Sequence, residues 1–284
     1  MLPLHNYALK KHNSWHLEAK ATHAYQPSDI ETLQTIIRHH GQFGLWLGLG
    51  SNVLLPEVIN QPVILTQKFL NQMHWINEHT LYLQAGMTCA KAAKLCAKKG
   101  FKEAVFFAGI PGTIGGALMM NAGAFGYETW QSVLYVDVID EKGDIHRCEP
   151  KDFIIHYRRI DVPFPLRFVG AAFNFTSDSP ETAQTHMKSC VSKRNATQPI
   201  GTFNCGSVFK NPYPHYAAKL IEDCNLKGYE YSHAQVSPKH ANFIINLGNA
   251  TYDGILTLIK HIQTNVLKSF DVHLETEVII VDRD

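Results

Sequence analysis

Apolar and polar positions alternate along the chain with two periods, predicting a few helices among many short strands. Ile30, Leu33, Ile36 and Ile37 share one helical face, so a helix is expected from Ser28 to His40, with Ser28 and Glu31 as a capping box and Gly41 as its stop. Thr88 to Gly100 is a second helix, rich in Ala and Lys, with Thr88 as cap and Gly100 as stop. Glu181 to Lys193 and Tyr216 to Leu226 are shorter helices. Tyr252 to Phe270 is a longer one, with Ile255, Leu258, Ile259, Ile262 and Val266 on one face.

Between the helices lie short runs that read as strands: Phe43–Leu47, a run starting at Val53, Pro62–Thr66, Met73–Ile76, Leu81–Ala85 and Phe168–Phe175. Val133–Ile139 and Ile145–Cys148 form an expected hairpin about Glu141–Asp144. Asn242–Asn246 and His273–Val281 close the series. Helices interspersed with hairpins argue for an α+β fold rather than a doubly wound parallel sheet. A boundary near 180–200 separates a large N-terminal part from a smaller C-terminal one.

The 284 residues are 45% hydrophobic and 18% charged, enough to bury a sizeable core. A net charge of +1 supplies no field for nucleic acid. No apolar run is long enough to cross a bilayer, and the first residues lack the basic and apolar regions of a signal peptide, so a cytoplasmic protein is expected. The six cysteines match no zinc spacing and are expected as free thiols. The 16 histidines are scattered and contain no metal-binding motif, so no metal is expected.

Two glycine-rich segments carry the candidate chemistry. In Gly48-Leu49-Gly50-Ser51-Asn52, alternate glycines let backbone amides converge on an anion, with Ser51 and Asn52 as further donors; taken alone, a tight turn between strands explains it as well. It lacks the third glycine of a dinucleotide fingerprint. Gly109-Ile110-Pro111-Gly112-Thr113-Ile114-Gly115-Gly116 is expected to be a loop. With Asn121, Gly123 and Gly126 it places six glycines in 18 residues, which favours close backbone approach to a large flat or phosphorylated ligand over simple turns. Ser207 lies in Asn204–Pro212, followed by Lys210 and Asn211; a capped turn and a reactive hydroxyl are both open readings, but the nucleophile elbow of a hydrolase is absent. Tyr157-Arg158-Arg159 reads as a basic turn. Glu275 and Glu277 share a face of the last expected strand, where Glu277 precedes an apolar run and is either partly buried or solvated.

In their order and spacing these segments, with Arg194–Pro199, Ala218–Gly228, Val236–Asn246 and Leu274–Val281, resemble the bacterial UDP-N-acetylenolpyruvylglucosamine reductases from about residue 13 onward. The resemblance implies an FAD-binding fold of the vanillyl-alcohol-oxidase type. Two subdomains, about 1–60 and 61–185, would hold non-covalent FAD, and residues 186–284 would form a substrate domain. The loops at Gly48–Asn52 and Gly109–Gly116, with Asn121 and Gly123, would hold the cofactor. NADPH would be the reductant and a UDP-sugar enolpyruvyl ether the substrate, in a monomer serving peptidoglycan synthesis. Arg158, Ser207 and Glu277 would be catalytic, with Ser207 as proton donor; Tyr157, Lys210 and Asn211 would contact substrate. The short connection from Pro212 to the helix at Tyr216 resembles the compact subclass, which lacks a tyrosine-bearing insertion. Four positions depart from the family pattern: Leu49 for a glycine, Ser14-Trp15 for Thr-Phe, and Ile160 for a serine. The alternatives are another flavin oxidoreductase of this fold and a non-catalytic flavin or nucleotide-sugar binder.

Overall fold

The structure, a computed structural model, describes residues 2–67 and 69–283. The chain divides into two compact units. The first comprises Met1–His5, His23–Leu49 and Gln61–Arg194; the second comprises Asn6–Thr22, Gly50–Asn60 and Asn195–Asp284. Compactness thus follows no single cut at 185. Two N-terminal segments belong with the C-terminal residues, because backbone and core pairings tie them there.

In the first unit, helix α1 spans Ile30–His40 and buries Leu33, Ile36 and Ile37. Its cap lies one residue beyond the expected one. Asp29 Oδ1 accepts the Thr32 amide at 2.7 Å, while Ser28 spends its hydroxyl on Asp29 Oδ2. A carboxylate is the stronger acceptor for a helix-end amide, so the capping box of Ser28 and Glu31 does not form. Against α1 lies a parallel ribbon in which Leu45–Leu47 pairs with Val63–Leu65, which pairs with Ala24 and Tyr25. Tyr25, Ile64 and Phe43 share a core with the buried face of the helix.

Helix α2 spans Cys89–Lys99 between the expected caps: Thr88 accepts the Lys91 amide, and Gly100 is left-handed at φ 91°. An antiparallel sheet forms the larger core, in the spatial order Ile145–Cys148, Val133–Asp140, Leu166–Asn174, Thr80–Gln84, Met73–Trp75. Its apolar side packs with Phe106, Phe107, Trp130 and Phe168. Helix α3, Ile114–Met119, replaces the second half of the expected glycine-rich loop. Helix α4 runs from Pro180 to Thr197, longer than expected at its C-terminal end.

The second unit holds helix α5, Ala217–Asp223, and helix α6, Tyr252–Phe270, beside an antiparallel sheet of Glu230–Tyr231, Ala234–Val236 and Ile244–Asn246. Here Trp15 is buried; its indole Nε1 donates to Ile244 O at 2.8 Å and its carbonyl accepts from Asn246 Nδ2 at 2.7 Å. Val53–Leu54 pairs in parallel with Ile279–Ile280. Of the expected strand His273–Val281, only Ile279 and Ile280 form a regular strand. The stretch before them touches Phe209 through a single bridge at Thr276, so the even alternation drawn from sequence does not govern Glu275 and Glu277. All six cysteines are free. No described helix is long and apolar enough to cross a membrane, and no described group of His, Cys, Asp and Glu could hold a metal ion.

Candidate active site

Within the first unit the start of one glycine motif rests on the other. A Cβ added to Gly48 would overlap the Thr113 side chain, 2.9 Å from its Cγ2, so only glycine permits the contact. Thr113 in turn caps α3 and is held by two backbone bonds that flank it, Cys89 N to Gly112 O at 2.9 Å and Ile114 N to Met87 O at 2.8 Å. The trans peptide that points Gly112 O at Cys89 N turns the Thr113 amide away from it, next to the amide of Gly112. Among the described residues those two amides, and those of Gly48 and Leu49, find no backbone acceptor.

The glycines of the second motif are not equivalent. Gly115 donates to Ala85 O at 2.8 Å, and a Cβ there would come within 2.8 Å of Ala85 Cβ. Gly109 packs in the same way on Ala124 and Phe125. Protein packing already requires both. Gly116 is exposed, and a Cβ there would meet nothing nearer than Thr113 Oγ1 at 3.8 Å. Exposed Pro111, half-buried Gly112 and exposed Gly116 therefore present a side-chain-poor backbone surface beside unclaimed amides. That combination suits the diphosphate of a dinucleotide, and the residues fit FAD. Ile110 is buried and contributes to the core instead.

Arg158 is no solvated basic turn. It occupies the left-handed position, φ 56°, of the tight turn joining Ile154–His156 to Arg159–Asp161. A non-glycine residue there costs conformational energy, which the side chain's bonds offset. The guanidinium is largely buried. Nη1 donates to Asn121 O at 3.1 Å and to Glu128 Oε1 at 3.2 Å, and Nη2 donates to Gly123 O at 3.0 Å. It also lies over the exposed Tyr157 ring, 4.7 Å from the centroid. Asn121 is itself buried and left-handed at φ 46°. Its Nδ2 donates to Glu128 Oε2 at 2.9 Å and to His156 O at 3.1 Å. Asn121 and Gly123, expected at the cofactor, thus serve the arginine. Glu128 had no signal in the sequence beyond its closeness to the glycine cluster. Ile160, in the serine's place, is buried in the core.

The second unit holds the remaining candidates. The backbone of Gly50 accepts from Ser14 N at 3.0 Å. Asn52 turns its Nδ2 to Glu277 O at 3.0 Å, and its own carbonyl accepts from Ile279 N at 3.0 Å, so the first motif fixes the segment that carries Glu277. Ser207 is half-buried at the end of a turn closed by Gly206 N donating to Asn204 Oδ1 at 3.0 Å. The residues after it pair with the glutamate segment: Glu277 N donates to Val208 O at 2.8 Å and Lys210 N to Glu275 O at 2.9 Å. The residue after Ser207 is thereby paired with Glu277. The half-buried Glu277 carboxylate lies near Cys205, whose thiol is pushed well up, first by burial and then by that negative charge. A thiol so raised is no nucleophile at neutral pH. Lys210 Nζ pairs with the exposed Glu275 at 2.7 Å. Asn211 Oδ1 accepts the Ala217 amide at 3.0 Å and so leads the chain into α5.

Comparison with known proteins gives this geometry its context. A family model described as UDP-N-acetylenolpyruvoylglucosamine reductase, C-terminal domain, matches residues 198–281, and one described as FAD binding domain matches residues 21–149. The chain is 40% identical over 300 residues to the UDP-N-acetylenolpyruvoylglucosamine reductase of Coxiella burnetii (strain Dugway 5J108-111), covering 98% of this chain and 95% of the relative. It is 40% identical over 282 residues to that of Legionella pneumophila (strain Paris), covering 98% and 93%. The crystal structure of UDP-N-acetylenolpyruvylglucosamine reductase from Thermus caldophilus superposes with a TM-score of 0.82 at 25% identity, over 97% of both chains. The α+β FAD-binding architecture expected from the motifs is therefore the fold. Since relatives 40% identical span almost its whole length, the chain belongs to the UDP-N-acetylenolpyruvoylglucosamine reductase family.

Proposed function

We propose that this protein reduces UDP-N-acetylglucosamine enolpyruvate to UDP-N-acetylmuramate, with NADPH as reductant and FAD as cofactor, in peptidoglycan precursor synthesis. Family membership supports the reaction. The observation that supports the chemistry is the backbone pairing of the segment that follows Ser207 with the segment that carries Glu277. In this reading Gly48–Asn52 and Gly109–Gly116 hold the cofactor diphosphate, chiefly through the amides of Gly48, Leu49, Gly112 and Thr113 that no backbone acceptor claims. Bound FAD supplies the hydride relay between nicotinamide and the enolpyruvyl carbon.

The chain's own residues polarise the substrate and deliver a proton. Hydride addition develops negative charge on the conjugated carboxylate, and Arg158 is the cation that faces it. Glu277, when protonated, donates a hydrogen bond to the same charge. Ser207 Oγ gives its proton to the carbon adjacent to the one receiving hydride, which demands a strongly basic intermediate and close placement. Tyr157, Lys210 and Asn211 are assigned to substrate contact; Lys210 would exchange Glu275 for an anionic group. The reading includes a monomer working in the bacterial cytoplasm.

The purified protein should be yellow and should bleach with NADPH. Its colour should return on adding the enolpyruvyl substrate in the absence of oxygen. A colourless protein that FAD cannot reconstitute, or a bleached one that the substrate does not recolour, would overturn the assignment.

A further inference from the structure

Three bonds from one buried side chain and its backbone hold the two residues that follow Ser207. Asn242 Oδ1 accepts the Phe209 amide at 3.0 Å, Asn242 Nδ2 donates to Phe209 O at 2.8 Å, and the Asn242 carbonyl accepts the Val208 amide at 2.9 Å. The side-chain amide thus presents to Phe209 the donor and acceptor that a neighbouring strand would present. Residues 275–277 bond the other edge, through Lys210 N to Glu275 O and Glu277 N to Val208 O. Val208–Lys210 is therefore the middle member of a three-part ladder, one side of which is a single asparagine. Asn242, Val208 and Phe209 are all buried, so no water can replace the amide. Other residue types cannot substitute easily, because the amide must offer one acceptor and one donor at once.

We infer that Asn242 is a positioning residue for the substrate-reducing half of the reaction, acting through Ser207 by fixing the Val208–Phe209 backbone in register with Glu277. The inference rests on the function proposed above. It goes further, since the proton delivered from Ser207 Oγ needs that oxygen held relative to the glutamate segment, and among the described residues only the asparagine bonds Val208–Phe209 on the side away from it. Misplacement by about 1 Å can cost about 100-fold in rate.

The test is a double-mutant cycle read on the two half-reactions by stopped flow, with the holoprotein. Asn242→Asp keeps the acceptor for Phe209 N but turns an oxygen toward Phe209 O. Bleaching by NADPH should stay within about 2-fold of wild type, while recolouring at saturating enolpyruvyl substrate should slow roughly 10–100-fold. In a Ser207→Ala background the same change should add less than about 2-fold, because residues that act as a unit are non-additive. Where Asn242→Asp does not yield folded, flavin-bearing protein, Asn242→Ser, which keeps one polar group, carries the same cycle. Effects that multiply fully in the Ser207→Ala background, equal slowing of both half-reactions, or unchanged recolouring would each overturn the positioning role. Failure of the wild-type protein to recolour would be seen before any variant and would instead overturn the reaction itself.

Discussion

At the scale of single residues, the sequence identified charged groups but not what restrains them. Arg158 was legible as a basic residue in a turn, and the family resemblance gave it a role. Its cage of two carbonyls and a carboxylate was not legible, since Asn121, Gly123 and Glu128 lie 30 or more positions away in sequence. The cage suggests a specific sensitivity. Glu128 accepts from Arg158 with one oxygen and from Asn121 with the other, so Glu128→Gln must turn an NH2 toward one of two donors. A charge-assisted hydrogen bond is worth about 1.5–3 kcal/mol, so turnover should fall roughly 10–100-fold while flavin stays bound. Steady-state kinetics at fixed flavin content would measure this, and unchanged turnover would show the bond to be dispensable. Arg158→Lys should cost more, because an ammonium cannot reach three acceptors with the geometry of a planar fork.

At the scale of elements, helices read better than strands. The boundaries of α2 and α6 follow from their caps and from one-sided periodicity, which are local properties. Helix α3 was missed because two adjacent glycines each disfavour a helix by about 1 kcal/mol. Its first-turn amides are satisfied from outside, by Met87 and Ala85, and no local rule reveals that. The terminal strand was over-read for the converse reason: its alternation reflects burial of Leu274 and Val278 without a continuous partner. Helix α3 also separates packing from ligand contact. Gly115→Ala should destabilise the protein by about 1–3 kcal/mol, through contact with Ala85. Gly116→Ala should be neutral or stabilising by up to about 1 kcal/mol, yet weaken FAD. Thermal denaturation of apoprotein and flavin titration would measure the pair. Wild-type flavin affinity in Gly116→Ala would remove that face of α3 from the cofactor site.

At the scale of the whole molecule, acid should weaken the fold before it protonates most carboxylates. Burial holds His40 below its ordinary pKa, reinforced by the charges of His39 and His23, and burial likewise lowers His240 in the other unit. In each case the unfolded chain takes up the proton more readily. The stability contributed is therefore complete above about pH 6.5 and is lost as pH falls through that value toward the folded pKa. The thermal midpoint should be nearly level from pH 8 to 7 and should drop between 7 and 5. His40→Asn combined with His240→Asn should shallow that drop; an undiminished slope would place its origin elsewhere.

The bond from Trp15 to Ile244 joins residues 229 positions apart within one unit. A ribosome adding about 5–20 residues per second would take roughly 10–50 s to cover that distance. Through that interval Trp15, Leu17 and Leu54 have only one another of the buried residues in their shared core, while most of the chain that follows belongs to the other unit. The early segments must therefore wait as unfolded, apolar chain beside a unit already able to close. Long-range closure of this kind makes for slow folding. During synthesis those segments are the natural target for a chaperone, and overexpression that outpaces the chaperone supply should lose this protein to aggregation through its N-terminal residues.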